Sequence, residues 1–256
     1  MKRIPRIYRL IFYLSLFESL LINKSLAFFP TINEPNRQEL ESTSIQIGKT
    51  AIQLIQFGQN EEAIKLLELA VKLNPKEIEL WKSLAEAQVR LNKNYQALSS
   101  LNKAIKLREE EPSIYFKQAS IYINLNDPKK AKISIKKGLS INKNDERGYF
   151  QLGNTELMLN NYELALIAFK RSSEINSNFW QSINNEGLVL HELNNLKEAI
   201  SKFRSALKIS NDAEPMLALA IVLYTLDNKS IQSLSLAKNA LISNPKYVLK
   251  EYQAKQ

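Results

Sequence analysis

Residues 146–179 read ERGYFQLGNTELMLNNYELALIAFKRSSEINSNF, and this stretch decides the fold because its pattern recurs on both sides of it. Stepping 34 residues at a time from Ala165 meets Ala63, Ala97, Ala131 and Ala199. A second small-residue series at the same step runs Ala70, Ala104, Gly138, Ser172, Ala206 and Ala240, and a third runs Ala51, Ala85, Ala119, Gly153 and Gly187. Four residues after each member of the first series stands a large apolar side chain: Leu67, Leu101, Ile135, Phe169 and Phe203. Leu91-Asn92, Leu125-Asn126, Leu159-Asn160 and Leu193-Asn194 repeat a turn dipeptide, and Asn74-Pro75 recurs as Asn244-Pro245. Chance does not align so many series, and a period of this length signals stacked repeats.

The physics of each series is separable. Within a unit the apolar residues follow helical spacing twice with a short break, as in 44–57 and 61–73. Asn after Leu suits the left-handed position that ends a helix. In Asp127-Pro128, Asp serves as a cap and Pro occupies the first turn of the next helix. Small residues at fixed slots let two helix axes approach to about 8–10 Å, and the large neighbour fills the hole between them. One helix pair cannot bury its own apolar face, whereas stacked pairs can.

These units, with Trp81 or Tyr149 near their start, Leu152-Gly153, and the Ala-x3-Phe of Ala165–Phe169 and Ala199–Phe203, resemble the tetratricopeptide repeat. The likeness spans six units, 44–77, 78–111, 112–145, 146–179, 180–213 and 214–247. The 35-residue RNA-reading helical repeats fit less well, because the step here is 34. The resemblance implies an all-α fold: an α-solenoid of about six helix-turn-helix repeats in a right-handed superhelix. The last unit departs from the pattern, with Ser233 at the expected Ala and Ala237 at the large residue. Its first helix reads better with Ala220 in the small slot, which implies one extra residue near Asp227–Ile231. Residues 248–256 are a polar C-terminal cap or tail.

The N-terminus stands apart. Of the formal charge of +9, five cations against Glu18 place +4 in residues 1–27 and leave +5 for the rest. A basic start, the apolar stretch 10–22 and Ser25-Leu26-Ala27 match a secretory signal cleaved after Ala27. Glu18 opposes insertion by about 2.5–3.5 kcal/mol at mid-span, so an uncleaved anchor or a buried or surface-lying amphipathic helix stays open beside it. The expected compartment is periplasm, thylakoid lumen, extracellular space or a membrane surface, or the cytoplasm if 1–27 is not a signal. Residues 28–43, with two prolines, read as a linker. The excess of Lys, Asn and Ile over Arg, Ala and Gly suggests an AT-rich, bacterial genome.

Composition removes most chemistry. There is no Cys, so disulfides, thiolate metal sites and a Cys nucleophile are excluded. His191 is the single His, next to Glu192 on a helix where adjacent residues do not face each other. No Gly-rich phosphate loop, G-x-S-x-G or paired catalytic carboxylates appear, so neither an enzyme nor a cofactor is expected. Nucleic acid is not expected either, because the aromatics sit in repeat slots rather than beside basic residues. Trp81 reads as core. Residues 129–143 hold six lysines and no acid, which reads as a solvated outer helix or as a contact with anionic lipid.

In the resembled family the first helices of the repeats line a groove that binds an extended or helical peptide. Carried over by helical phase, the expected peptide-binding residues are Arg90, Phe116, Asn124, Arg147, Phe150, Asn154, Gln181 and Asn184. Amides pair with a peptide backbone, and the two Phe take an apolar side chain. Lys and Asn do not fall together at neighbouring slots, so a clamp for a C-terminal carboxylate is not expected. The expectation is a non-enzymatic scaffold that binds a protein or peptide partner and assists assembly of a larger complex. The alternative is a membrane-surface organiser using residues 1–27 and the lysine-rich helix. The oligomeric state stays open.

Overall fold

The computed structural model describes residues 36–228 and 230–248, and they are helical with no strand among them. The expected signal 1–27 and residues 249–256 lie outside the described residues. Two compact units divide the chain between Leu107 and Arg108. The first holds α1 (Arg37–Gln56), α2 (Asn60–Leu73), α3 (Ile78–Arg90) and α4 (Asn94–Leu107). The second holds α5 (Pro112–Asn124), α6 (Pro128–Ile141), α7 (Glu146–Met158), α8 (Tyr162–Ile175), α9 (Trp180–Glu192), α10 (Leu196–Ile209), α11 (Ala213–Leu226) and α12 (Ile231–Ser243). A 3-10 turn, Pro245–Val248, follows. Inside each unit every helix packs on the one before it, as an all-α solenoid requires. The boundary expected at residue 44 moves: α1 begins at Arg37, so residues 37–43 are helix rather than linker. The Asn36 side chain caps it by accepting from the Glu39 amide at 2.9 Å, and the Arg37–Glu41 pair at 2.8 Å braces its first turn.

The turn dipeptides work as their chemistry predicts. Asn92, Asn126, Asn160 and Asn194 have φ of 57°, 55°, 58° and 60°, and Gly58 stands at the equivalent place with φ 79°. After α3, the amide of Asn92 bonds Val89 O and that of Lys93 bonds Gln88 O, at 2.8 Å each. The other three Asn turns repeat the scheme, so each helix hands its last carbonyls to the left-handed turn that stops it. Asp127 accepts from the Lys130 amide and Pro128 takes the first turn of α6. The Lys130 bonds hold the Asp127 carboxyl below its ordinary range.

The small-residue series is the core. Ala63, Ala97, Ala131, Ala165 and Ala199 are each 0% exposed, as are Leu67, Leu101, Ile135, Phe169 and Phe203. Volume is balanced within each repeat. Where the large residue is Leu or Ile, the facing slot on the first helix is Ala51, Ala85 or Ala119. Where it is Phe, that slot is glycine. A Cβ on Gly153 would sit 2.5 Å from Cε1 of Phe169, and one on Gly187 2.6 Å from Cε1 of Phe203.

The last repeat departs as its residues require. Ala220 is 3% exposed and Ile221 58%, which sets the register of α11 one residue early. Four residues, 227–230, then separate α11 from α12, where 91–93 suffice between α3 and α4. The buried Ser233 hydroxyl donates to Ala220 O at 3.0 Å, so a hydroxyl in the alanine slot finds an acceptor. Trp81 is half-buried against the core of the first unit, and its indole N–H donates to Pro75 O at 2.9 Å.

Candidate peptide-binding face

Of the eight expected residues, Arg90 lies on α3 in the first unit and seven lie on α5, α7 and α9 in the second. Arg90 is exposed and reaches Glu86 at 3.3 Å, one turn back on its own helix. Asn124 and Arg147 are exposed and Gln181 is half-buried. The two phenylalanines are partly covered by their own repeats. The Phe116 ring lies between α6 and α7, so a Cβ on Gly138 would meet its Cε1 at 2.7 Å and one on Gly148 its Cζ at 2.6 Å. Phe150 packs tilted against Phe169 and Phe179, with ring centroids 5.8 and 5.1 Å apart.

Asn184 requires a correction. It is 0% exposed and cannot reach a ligand; its amide donates to Glu214 Oε1 at 2.9 Å, tying α9 to the first turn of α11. The same slot holds Phe116 and Phe150 in the two preceding repeats; here it holds a short side chain that the next repeat covers. Burial pushes the Glu214 carboxyl above its ordinary value, helped by the Asp212 charge and opposed by the Asn184 bond.

A polar ladder escaped the sequence reading. Gln151 donates to the Ser120 hydroxyl at 2.7 Å, and one repeat later Asn185 donates to Asn154 Oδ1 at 3.1 Å. The signal was present: 151 and 185 are 34 apart and both are amides. The Asn154 side chain is thereby tied into the scaffold. Two buried acids were also missed. Glu156, 3% exposed, meets Lys132 Nζ at 2.7 Å and accepts from Asn161 at 2.9 Å. Glu186, 1% exposed, meets Lys202 and the Ser173 hydroxyl. Each acid occupies a slot that is Leu in other repeats, Leu54 or Leu190 for Glu156 and Leu84 or Leu152 for Glu186. A charge in an apolar slot demands a buried partner.

The lysine-rich segment is thereby thinned. Lys132 is committed to Glu156 and Lys130 to Asp127 at 2.8 Å, while Lys129, Lys136, Lys137 and Lys143 stay exposed. His191 is half-buried, and its Nδ1 comes within 3.5 Å of Glu192 Oε1, closer than adjacency on a helix had suggested. Among the described residues no group of His, Asp and Glu could hold a metal ion, and no helix is long and apolar enough to cross a membrane.

The face has a gradient along the second unit. At one slot the repeats carry Ser120, Asn154, Leu188 and, with the shifted register, Ile221; at the next turn they carry Ile123, Leu157, His191 and Tyr224. Leu188, Ile221 and Tyr224 are 36%, 58% and 51% exposed. At the first of these slots polar residues with bonded side chains, Ser120 and Asn154, thus give way to uncovered apolar ones, Leu188 and Ile221.

Residues 49–87 and 112–145 each match a sequence profile described as tetratricopeptide repeat. No curated protein sequence matches the chain. Among solved structures, PilW, a type IV pilus biogenesis factor, superposes with a TM-score of 0.69 at 19% identity, over 83% of this chain and 97% of its own. Pseudomonas aeruginosa pilF gives a TM-score of 0.69 at 16% identity, over 86% and 99%. YrrB, described as a tetratricopeptide-repeat protein with an unusual peptide-binding site, gives 0.56 at 21% identity, over 74% and 98%. At these identities the likeness is one of fold.

Proposed function

Because this chain is a tetratricopeptide-repeat protein, and such repeats are protein-interaction scaffolds, we propose that it binds a partner segment along the first-helix face of its second unit. The observation that carries this is the uncovered row Leu188, Ile221 and Tyr224 on the first helices of the last two repeats, with Arg147 exposed on the first helix of the repeat before them. Apolar side chains on a rigid helical floor bind without the cost of ordering a loop. The segment it suits is an amphipathic or extended peptide with apolar anchors and a carboxylate for Arg147. Asn124, Asn154 and Gln181 offer amides to its backbone, and Arg90 provides a separate contact on the first unit. The role is assembly of a larger complex without covalent chemistry. Residues 1–27 direct export or hold the chain at a membrane.

Crosslinked affinity purification from the native organism, with mass measurement of the N-terminus, reports partner and processing together. The isolated partner is then titrated against Arg147→Glu and against Leu188→Lys with Ile221→Lys. Each replaces exposed side chains, so folding is retained and binding weakens at least about tenfold, the size expected for losing one central contact. Unchanged affinity in both variants refutes the assignment of the face.

A further inference from the structure

The two ends of the repeat array are finished differently. On α1 the slots that face a preceding repeat hold Gln46, Thr50 and Gln53, all exposed. In later repeats the same slots hold Leu80 or Ile114, Leu84, and Ala87, Ile121 or Val189, all buried. The first helix is thus a polar cap. The last helix, α12, is the reverse. Ile231 and Ile242 are 83% and 67% exposed. The slot of Ile231 is otherwise Glu61, Tyr95, Lys129, Glu163 and Lys197, and that of Ile242 is Lys72, Lys106, Ser140, Glu174 and Lys208. Leu234 is 60% exposed, where Leu166 and Ile200 are half-buried under the next repeat. At 100° per residue, Ile231, Lys238 and Ile242 fall within roughly 40° of one another, flanked by Leu234 and Ser235. The array therefore ends in an apolar stripe at slots where the other repeats are almost all polar or charged.

We propose that this stripe is a self-association surface, with α12 of one copy packing antiparallel on α12 of a second. Three observations select that occupant. The stripe is apolar at both ends and polar in the middle, so an antiparallel copy sets Ile231 on the partner's Ile242 and Lys238 on the partner's Ser235. The two lysines then stand about 10 Å apart, near the Debye length. Head-to-tail stacking is blocked, because α1 offers Gln46, Thr50 and Gln53 where an apolar face is needed. An anionic lipid surface has little to attract it: within 213–248, Lys229, Lys238 and Lys246 stand against Glu214 and Asp227, a net charge of only +1. The isologous contact closes on itself as a dimer and does not extend into a fibre.

The test is the mass of the full chain by light scattering and sedimentation over a range of concentrations. The wild type shifts from monomer to dimer, and Ile231→Glu or Ile242→Lys alone leaves it monomeric. The double variant I231E/I242K regains the dimer, because each copy then sets a carboxylate on the partner's ammonium. Ile133→Glu and Ile167→Glu, at isoleucines 69% and 65% exposed on other helices, leave the equilibrium unchanged. In a chain without cysteine, an equimolar mixture of Ser235→Cys and Lys238→Cys chains forms an intermolecular disulfide on oxidation, and a mixture of Ser235→Cys and Ile133→Cys chains does not. A monomer at every concentration overturns the proposal; if that monomer floats with anionic vesicles in an Ile231-dependent way, the occupant is lipid. A dimer that survives Ile231→Glu and Ile242→Lys also overturns it.

Discussion

The balance between Gly153 and Phe169 gives the sharpest test of how the repeats pack. Gly153→Ala puts a methyl 2.5 Å from Cε1, 2.6 Å from Cδ1 and 2.7 Å from Cζ of Phe169. Carbon atoms in contact prefer about 3.5–4.0 Å, so the ring must retreat by about 1 Å. Phe169 is 0% exposed, so its ring cannot swing out into solvent and must press on its neighbours. Overpacking of this kind costs about 1–3 kcal/mol, and replacing a mid-helix Gly by Ala returns about 1 kcal/mol. The expected net loss is about 0–2 kcal/mol. Phe169→Leu alone leaves a hole and costs about 1–2 kcal/mol. The double variant rebuilds the Ala–Leu pair that the chain already uses at Ala51–Leu67 and Ala85–Leu101, and it matches or exceeds the wild type. The coupling is about 2 kcal/mol. Urea denaturation followed by circular dichroism measures all four corners of the cycle, and hydrogen exchange on α7 and α8 localises the effect. Effects that add to within about 0.5 kcal/mol refute the steric account.

Other consequences are checked the same way. Lys202→Ala strands Glu186 at 1% exposure and lowers stability by about 2–3 kcal/mol, the smaller end of a buried pair because Lys202 is itself 36% exposed; E186L/K202M together is neutral or stabilising in urea. Glu214→Gln stabilises the last repeat at neutral pH. The raised carboxyl favours its protonated form in the fold, so its contribution is fully present below the ordinary carboxyl value and fades as pH rises through the folded one; a pH series of thermal melts loses that component in the variant. Asn126→Gly is tolerated while Asn126→Val costs about 1–2 kcal/mol, because the residue sits at φ 55°; thermal melts separate the two.

The legibility of the site was uneven for physical reasons. Arg147 and Asn124 are exposed and Gln181 half-buried, an outcome that helical phase within a single helix already sets. Phase does not show whether a ring reaches out or lies down on its own repeat, and Phe116 and Phe150 are partly covered by theirs. Gly138 and Gly148 supply the space in which Phe116 lies down. Asn184 failed because its burial depends on Glu214, thirty residues onward, in a repeat whose register is shifted by one.

Fold class, repeat length, the left-handed Asn turns and the irregular last turn were all written in the order of residues. Each depends on contacts within a unit or on a slot repeated many times, and repetition lets small residues announce a helix crossing. The tertiary structure alone decided which acids pair with which lysines, which amides are spent on the scaffold and where α1 begins. It also showed that Ile231, Leu234 and Ile242 stay uncovered at one end. Those outcomes depend on what the neighbouring helix leaves open, and a side chain's exposure is a property of the stack it sits in.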